Sequence, residues 1–416
     1  MSRKVEKPVG VCVLYGYLKR FKHENALLNK DPTKFDVKVQ EAEAILENLN
    51  FQFEQHVVLS KMYSLSLNHL DKAVNHALEC VKFHPELYEL WNHLGELYYT
   101  QGRFPQAEKC FSLAMEKKCN PYSLRNLSMV MKVCKPSDDV EKYTGRILKS
   151  IEYASQSLEL DDSDPDTYNL IGTAFLAAYF IPPKDPLYLC KAYAAFKNGE
   201  NCPLGNLNCL IPYNKHVLFK YLHLYTEALQ MLDQAQKLSP SWALPAKDKK
   251  SIISFLEKIH DSYVTNTKSK DLLQIKKKLS KQKFLQNKFS NKVQGVEGLD
   301  IGRNPDCCVV GRVIWNIPST QSFPSVLGLC DNTGQRVIVL SIVPYLEKSV
   351  GLYNTLTINK PYLKEIAFTI DGKSHKFPLI TVFKAENVLI GGKPLKYTGN
   401  VDTKFNCHEY LQLKTL

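Results

Sequence analysis

The chain has 416 residues, a formal net charge of +12 at pH 7, 44% hydrophobic and 23% charged residues. These values are typical of a globular protein with two or three domains. They exclude a membrane-spanning protein, because no apolar run approaches the about 20 residues that a membrane helix needs.

The N-terminal run, the spacing of the cysteines and the missing catalytic motifs narrow the class of protein further. The apolar run at the N-terminus is short and lacks a small-residue cleavage site, which favours an amphipathic first helix over a signal peptide. The 12 cysteines include no C-x2-C pair, so reduced thiols in a cytoplasmic or nuclear protein are favoured over a disulfide framework or a metal site. No phosphate-binding Gly-rich loop, H-E-x-x-H or G-x-S-x-G motif occurs. We therefore predict a non-enzymatic protein without a cofactor.

Introductory helices are predicted over residues 1–50, with a break at LLNKDPTKF, and a helical repeat follows. The clearest repeat has the spacing W-x2-L-G-x2-Y…A-x3-F of the tetratricopeptide repeat. Its residues are Trp91, Leu94, Gly95, Tyr98, Ala107, Phe111 and Ala114. Gly95 is expected to let two antiparallel helices approach closely, while the aromatic residues fill the core. One such helical pair cannot bury its apolar face alone, so neighbouring repeats are predicted.

Weaker copies of this pattern predict a solenoid over residues 51–262. One unit precedes the Trp91 repeat and ends at Pro85. A third unit joins NPYSLRNLSMVMKVCK to GRILKSIEYASQSLEL through a polar loop, KPSDDVEK. A fourth unit contains a long proline-rich turn, and a fifth ends at Pro240. With the helix SIISFLEKIHDSYV as a cap, about five repeats are predicted, and a solenoid needs at least three.

Residues 263–302 are predicted to form a basic linker or helix. Residues 247–292 contain 13 lysines against four acidic residues. Lysines neutralise phosphates as point charges, so contact with RNA or the ribosome is one interpretation. The lysines proposed for it from this run are Lys276, Lys277 and Lys278. A solvated amphipathic helix is the alternative.

Short β-branched segments predict a small barrel over residues 303–396, and residues 397–416 are predicted to be a poorly ordered tail. The segments run from CCVVGRVIWNI to NVLI, with DNTG and DGK as hairpin turns. Five or six such strands suit an OB fold. The predicted fold class is therefore α + β multidomain: an all-α solenoid followed by an all-β OB-fold barrel. Protein docking on the barrel is favoured over nucleic acid, for which the possible stacking residues are Trp315, Phe323, Tyr345, Tyr353 and Phe368.

First helices of such repeats line the groove, so their polar residues could hydrogen-bond an extended peptide. Asn126, Ser128 and Lys132 lie on one predicted helix, with Ser128 and Lys132 on the same face. Asn92 and Asn214 are placed similarly on other first helices. A solvated helix face is the alternative. A chaperone cofactor that grips an acidic C-terminal peptide would need a Lys/Asn clamp, which these repeats do not clearly supply.

The run from WNHLGELYYTQGRF to NLSMVMK, together with VKFHPELYELWN and GRVIWNI, resembles the tetratricopeptide repeat protein 5 family. The resemblance covers most of the chain after about residue 35 and is that of a divergent member. It implies a ribosome-associated cytoplasmic role in tubulin autoregulation, in which the groove holds the nascent tubulin N-terminus and mRNA decay follows. It also implies an alternative: a nuclear stress-response scaffold for transcription coactivators, with nucleic-acid or chromatin binding through the OB fold.

The same resemblance assigns individual residues. Lys132 takes the place of a basic groove residue that contacts an acidic residue of the nascent peptide. Leu210 and Leu244 stand where the family has two carboxylates for the peptide's arginine, and Glu200 or Asp233 could replace them. Lys82 aligns with a lysine that contacts the decay adaptor. Lysines for ribosomal RNA align with Lys268 and Lys270.

Overall fold

The computed structural model describes most of the chain between residues 52 and 395. The described residues are 37, 39–41, 43–44, 52–133, 140–181, 187–267, 291–317, 323, 326–331, 337–342, 350–370, 372–382 and 385–395. Of the introductory helices predicted over residues 1–50, the few described residues between 37 and 44 are helical. The predicted tail lies outside the described residues.

Helices in antiparallel pairs follow one another from residue 52 onward. They are α1 (Gln52–Tyr63), α2 (Leu70–Phe83), α3 (Tyr88–Thr100), α4 (Phe104–Lys117), α5 (Pro121–Val133), α6 (Val140–Leu160), α7 (Pro165–Tyr179), α8 (Leu187–Asn201), α9 (Leu210–Tyr221), α10 (Tyr225–Leu238) and α11 (Ala243–Thr267). The described helices thus make five pairs and a final helix, in the order that the repeats predict.

Two helices are longer than the sequence indicates. Helix α6 begins at Val140, so part of the predicted loop KPSDDVEK is helical. Tyr143 and Ile147 are both buried on α6 and lie four residues apart. This spacing continues the apolar face of the helix towards its N-terminus, beyond the predicted start. Helix α11 begins at Ala243 rather than near Ser251, because Pro245 lies in its first turn, where proline is tolerated.

Contacts divide the chain into two compact units. The first contains the described residues up to Ala178 and Ala194–Asn206, and the second contains Tyr179–Tyr193 and the described residues from Leu207 onward. In the second unit, α11 packs against strands of the C-terminal sheet. Helices of the last repeat therefore belong to the same compact unit as the sheet.

Close helix approach in the first unit depends on two glycines. A Cβ atom added to Gly95 would lie 2.5 Å from Cε1 of Phe111, and one added to Gly172 would lie 2.5 Å from Cε1 of Phe196. Both phenylalanines are fully buried. The same glycine–phenylalanine contact therefore joins the two helices of the second and fourth pairs, and the close approach predicted at Gly95 is present.

The strands of the second unit form one mixed sheet. They are β1 (Lys292–Val293), β2 (Gly302–Arg303), β3 (Cys307–Ile317), β4 (Val326–Asp331), β5 (Val337–Ile342), β6 (Thr355–Asn359), β7 (Tyr362–Ile370), β8 (Lys373–Val382), β9 (Val388–Ile390) and β10 (Lys393–Pro394). The order is β10-β9-β6-β3-β4-β5-β8-β7-β2, and β1 pairs with β3. Because β1 and the first residue of β2 precede residue 303, the sheet begins earlier in the chain than the predicted barrel.

Closure of this sheet depends on a bend between two consecutive strands. Strand β6 pairs with β3, and β7 pairs with β8 at the other end of the path. Between them lie Lys360, whose φ is 51°, and Pro361. The segment β6–bend–β7 thus pairs with β3 at one end of the four strands β3-β4-β5-β8 and with β8 at the other end. This is how an OB-fold barrel closes. Its interior is filled by aliphatic residues such as Val309, Leu329 and Ile358.

Within the described ranges, no helix combines the length and the apolar character needed to cross a membrane.

Candidate functional site: an acidic cleft on the first helices

A cleft of about 740 Å³ lies in the first unit, on the faces of three first helices. It is lined by residues of α1, α3 and α5 and of the turn before α7. Two of its lining residues are basic, Lys61 and Arg125. Four are acidic, namely Glu89, Glu96, Asp161 and Asp164. The cleft therefore carries an excess of negative charge at neutral pH.

One carboxylate of the cleft is already held by protein donors. Asp164 forms an ion pair with Arg125 and accepts a hydrogen bond of 2.6 Å from Oγ1 of Thr167. Burial raises the pKa of Asp164, but the hydrogen bond from Thr167 and the charge of Arg125 outweigh this effect, so the pKa lies below its usual range. This carboxylate stays ionised and fixes the C-terminal end of the cleft.

The other three carboxylates are more accessible. Glu89 and Asp161 are exposed, and Glu96 is half-buried and accepts a hydrogen bond from the Tyr122 hydroxyl. Among the described residues, the donors to the Asp161 carboxylate are the backbone N–H and the hydroxyl of the neighbouring Ser163, at 3.0 and 2.7 Å. No described lysine or arginine forms an ion pair with Glu89, Glu96 or Asp161. Their charge is available to a ligand.

A histidine of the cleft adds no positive charge at neutral pH. His93 Nε2 lies 2.8 Å from Ser60 Oγ. Burial, with a smaller contribution from the charge of Lys61, lowers the pKa of His93 to about 4. The imidazole is therefore neutral near pH 7 and does not offset the excess of negative charge in the cleft.

The floor of the cleft is a buried amide–hydroxyl network. Asn92, predicted as a groove residue, is 2% exposed, and its Nδ2 donates to Ser123 Oγ at 2.9 Å. Asn120 Nδ2 donates to the same oxygen at 2.8 Å. Asn92 therefore lies at the cleft, and its amide joins α3 to α5.

Three predicted groove residues lie elsewhere on α5. Asn126, Ser128 and Lys132 are all buried and do not line the cleft. Ser128 Oγ donates to the carbonyl oxygen of Ser150 at 2.7 Å, on α6. Lys132 Nζ donates to Thr173 Oγ1 at 2.5 Å, on α7. Ser128 and Lys132 thus connect α5 to neighbouring helices, and a peptide-binding role for all three residues stays a prediction.

The residues aligned with the missing carboxylates belong to the second unit. Leu210 and Leu244 are half-buried at the starts of α9 and α11, and Asn214 is fully buried on α9. Asp233 is paired with Lys249 at 2.6 Å. Neither Glu200 nor Asp233 lines the acidic cleft, so the negative charge observed there comes from different residues.

The predicted adaptor contact lies on an exposed helix surface. Lys82 is on α2 with its side chain 70% exposed, and it pairs with Glu79 at 2.7 Å. This position agrees with an accessible surface, while its partner stays a prediction. The predicted ribosome contacts Lys268, Lys270, Lys276, Lys277 and Lys278 lie outside the described residues.

The barrel does not present most of its proposed stacking residues. Trp315, Phe323 and Phe368 are each 8% exposed. The Phe323 ring stacks on Phe255 at 4.3 Å. Tyr353 is 62% exposed, and Tyr345 lies outside the described residues. Three of these rings pack in the interior, so they cannot stack on bases as proposed.

The buried cysteines Cys80 and Cys110 have the character of structural thiols. Burial raises the pKa of Cys80 to about 12 and of Cys110 to about 11. The described cysteines are free thiols. Among the described residues, no three His, Cys, Asp or Glu side chains are grouped as metal ligands. Because a thiol with a raised pKa is a poor nucleophile, Cys80 and Cys110 are unsuited to catalysis.

Sequence reasoning missed the acidic residues of the cleft, although part of the signal was present. Glu89, His93 and Glu96 recur at helical spacing, on a different face of α3 from the buried Leu94. Arg125 and Asp164 are 39 residues apart in the chain, so no local sequence pattern indicates that they form an ion pair.

Comparison with known proteins agrees with this architecture. Residues 290–402 match the family model of the tetratricopeptide repeat protein 5 OB fold domain. Tetratricopeptide repeat protein 5 of Mus musculus is 25% identical over 372 residues, covering 86% of this chain and 84% of the mouse protein. The Homo sapiens protein is 24% identical over 376 residues, with the same coverage. The chain is thus similar to tetratricopeptide repeat protein 5 over most of its length.

Two solved structures show partial similarity to the chain. The APC/C hetero-tetramer Cut9–Hcn1 has a TM-score of 0.42 at 17% identity and covers 53% of this chain and 40% of that chain. YrrB, described as a TPR protein with an unusual peptide-binding site, has a TM-score of 0.32 at 20% identity, covering 50% and 97%.

Proposed function

We propose that this relative of tetratricopeptide repeat protein 5 is a non-enzymatic adaptor that holds a short, positively charged peptide in the acidic cleft. The observation that carries the proposal is the excess of carboxylates on the first helices, of which Glu89, Glu96 and Asp161 have no described cationic partner. Such groups attract a peptide amine or guanidinium and orient it by charge-assisted hydrogen bonds.

The cleft is suited to an extended peptide by its rigidity as well as by its charge. The Asn92–Ser123–Asn120 network fixes the floor, and the Arg125–Asp164 pair fixes one end. Tyr88 and Tyr122 also line the cleft. Pre-formed polar groups beside aromatic rings reduce the ordering cost of binding. This supports peptide capture rather than catalysis.

The family resemblance supports a specific ligand, the N-terminal peptide of nascent tubulin. In the family the arginine of that peptide meets two carboxylates, which are Leu210 and Leu244 here. We propose that the cleft carboxylates Glu89 and Asp161 take over this charge. The adaptor would then act at the ribosome in the cytoplasm and promote tubulin mRNA decay. A nuclear scaffold for transcription coactivators is the alternative that the same resemblance supports.

Fluorescence anisotropy with the full chain tests the proposal. The probes are a labelled tubulin N-terminal peptide and the same peptide with its arginine replaced by alanine. The variant Glu89→Lys with Asp161→Lys reverses two exposed cleft charges. The variant Glu116→Lys with Glu152→Lys makes the same charge change on the exposed second helices α4 and α6, outside the cleft.

We expect the cleft variant to bind the arginine-containing peptide about tenfold more weakly or worse, because two attractive contacts become repulsive. The control variant should bind like the wild type, and all proteins should melt cooperatively. Equal affinity for both peptides, or equal loss in both variants, would reject the cleft as the binding site. A pull-down of ribosome–nascent-chain complexes then tests the tubulin role, which fails if tubulin-bearing complexes are not enriched.

A further inference from the structure

A second cleft, of about 880 Å³, lies entirely within the second unit. One wall is formed by residues of α8 and α9 and of the turn after α9, and the other by the barrel around β2, β7 and β8. Its helical wall is apolar and includes Leu189, Tyr193, Phe219, Leu222 and Leu224. Tyr193 is 43% exposed, so a large apolar side chain of a ligand has ring and aliphatic surface to cover.

The charged residues that line this second cleft are both basic. Arg303 and Lys360 are exposed, and no acidic residue belongs to the described lining. Neither of them forms an ion pair with a described carboxylate. Lys215 adds charge behind the apolar wall, with its Nζ 5.7 Å from the ring centroid of Tyr193 and 5.9 Å from that of Phe219. The charge of this cleft is thus opposite to that of the acidic cleft.

Both cations are held on rigid backbone. Arg303 of β2 lies opposite Tyr362 of β7 in the antiparallel strand pair. Lys360 lies in the bend that closes the barrel, where its φ is 51° and its N–H donates to the carbonyl oxygen of Cys307 at 3.0 Å. Because the backbone at both positions is already ordered, ligand binding has to order only the two side chains.

An unused polar group lies in the barrel wall of the same cleft. Thr381 is 2% exposed and belongs to the lining, yet its Oγ1 has no hydrogen-bond partner among the described residues. An unpaired buried hydroxyl is unfavourable. Because this oxygen is itself buried, a polar ligand atom reaches it only after a small movement of the wall.

We propose that this second cleft docks a short acidic segment of a partner protein, with a bulky apolar side chain between carboxylates. The apolar wall receives the side chain, and Arg303 and Lys360 receive the carboxylates. A single strand of nucleic acid fits less well, because it needs several phosphate contacts and the described lining supplies two cations, Arg303 and Lys360. With opposite charge preferences in its two units, the chain can join a basic peptide to an acidic one.

Anisotropy titrations with the full chain test this docking site. The probe is a labelled 12-residue peptide with phenylalanine and leucine flanked by aspartates and glutamates. A peptide with lysines in place of the acids and a 12-nucleotide deoxythymidine strand are the comparison probes. Arg303→Glu with Lys360→Glu reverses the rim. Lys258→Glu with Lys373→Glu is the matched control, because both lysines are exposed in the same unit and do not line the cleft.

We expect the acidic peptide to bind and the rim variant to lose about tenfold or more in affinity, with the control unchanged. Tyr193→Ala, at an exposed ring, should also weaken binding and leave the melting temperature within a few degrees. Absence of acidic-peptide binding by a folded wild type overturns the proposal. So does equal loss in the rim and control variants, or binding of the deoxythymidine strand in place of the peptide. Because Glu89 and Asp161 lie in the other unit, their reversal should leave this titration unchanged.

Discussion

Substitution of Gly95 by alanine tests the helix packing that positions the acidic cleft. Helix α3 carries Glu89 and Glu96 on one side and Gly95 against Phe111 on the other. A Cβ atom at residue 95 would meet Cε1 of Phe111 at 2.5 Å, and that ring is fully buried. Overpacking of this kind costs about 1–3 kcal/mol. The higher helix propensity of alanine offsets about 1 kcal/mol of this cost, so we expect a net loss of up to about 2 kcal/mol in the free energy of unfolding.

Urea unfolding followed by circular dichroism measures this loss, and Gly145→Ala is its matched control. Gly145 also lies within a helix, but a Cβ atom there meets nothing within 4 Å, so this variant should gain up to about 1 kcal/mol. Combining Gly95→Ala with Phe111→Leu should relieve the clash and make the two substitutions non-additive by about 1 kcal/mol. A Gly95→Ala protein that is stabilised as much as Gly145→Ala would refute the close helix approach.

Three further predictions concern buried groups. Ser123→Ala should lower the free energy of unfolding by about 1–3 kcal/mol, measured by urea unfolding, because it leaves the buried amide of Asn92 unpaired. Burial lowers the pKa of His223 to about 3, so the unfolded chain binds a proton more readily between pH 6.5 and 3. Stability should fall as the pH drops through that window. His223→Asn, which tolerates the φ of 55°, should give a shallower fall between pH 7 and pH 5, and an unchanged slope would contradict the assignment. Finally, a thiol-specific reagent should modify the exposed Cys119 in the folded chain but reach Cys80 only in denaturant; equal rates would contradict the burial of Cys80.

The sequence was most informative where structure depends on local pattern. The repeat spacing around Trp91 requires a small residue facing a large one, and the Gly95–Phe111 contact is its direct result. The strand CCVVGRVIWNI is β3 residue for residue, because β-branched residues and flanking turn residues limit it on both sides. These features involve neighbours in the chain or in the adjacent helix.

The candidate site was less predictable because it depends on distant residues. Ser128 and Lys132 share a helix face as expected, but that face packs against α6 and α7 and is buried. Which face of α5 meets solvent is decided by helices that come later in the chain. The charge of the cleft likewise combines Glu89 on α3 with Asp161 before α7. No local spacing brings those two carboxylates together.

Photo-crosslinking tests the central claim, peptide capture in the acidic cleft, most directly. A tubulin N-terminal peptide with a photoreactive residue beside its arginine would be crosslinked to the full chain and mapped by mass spectrometry. The proposed function predicts crosslinks within residues 88–96 and 120–125, and their loss in the Glu89→Lys with Asp161→Lys variant. Crosslinks confined to other segments, or unchanged in that variant, would contradict it.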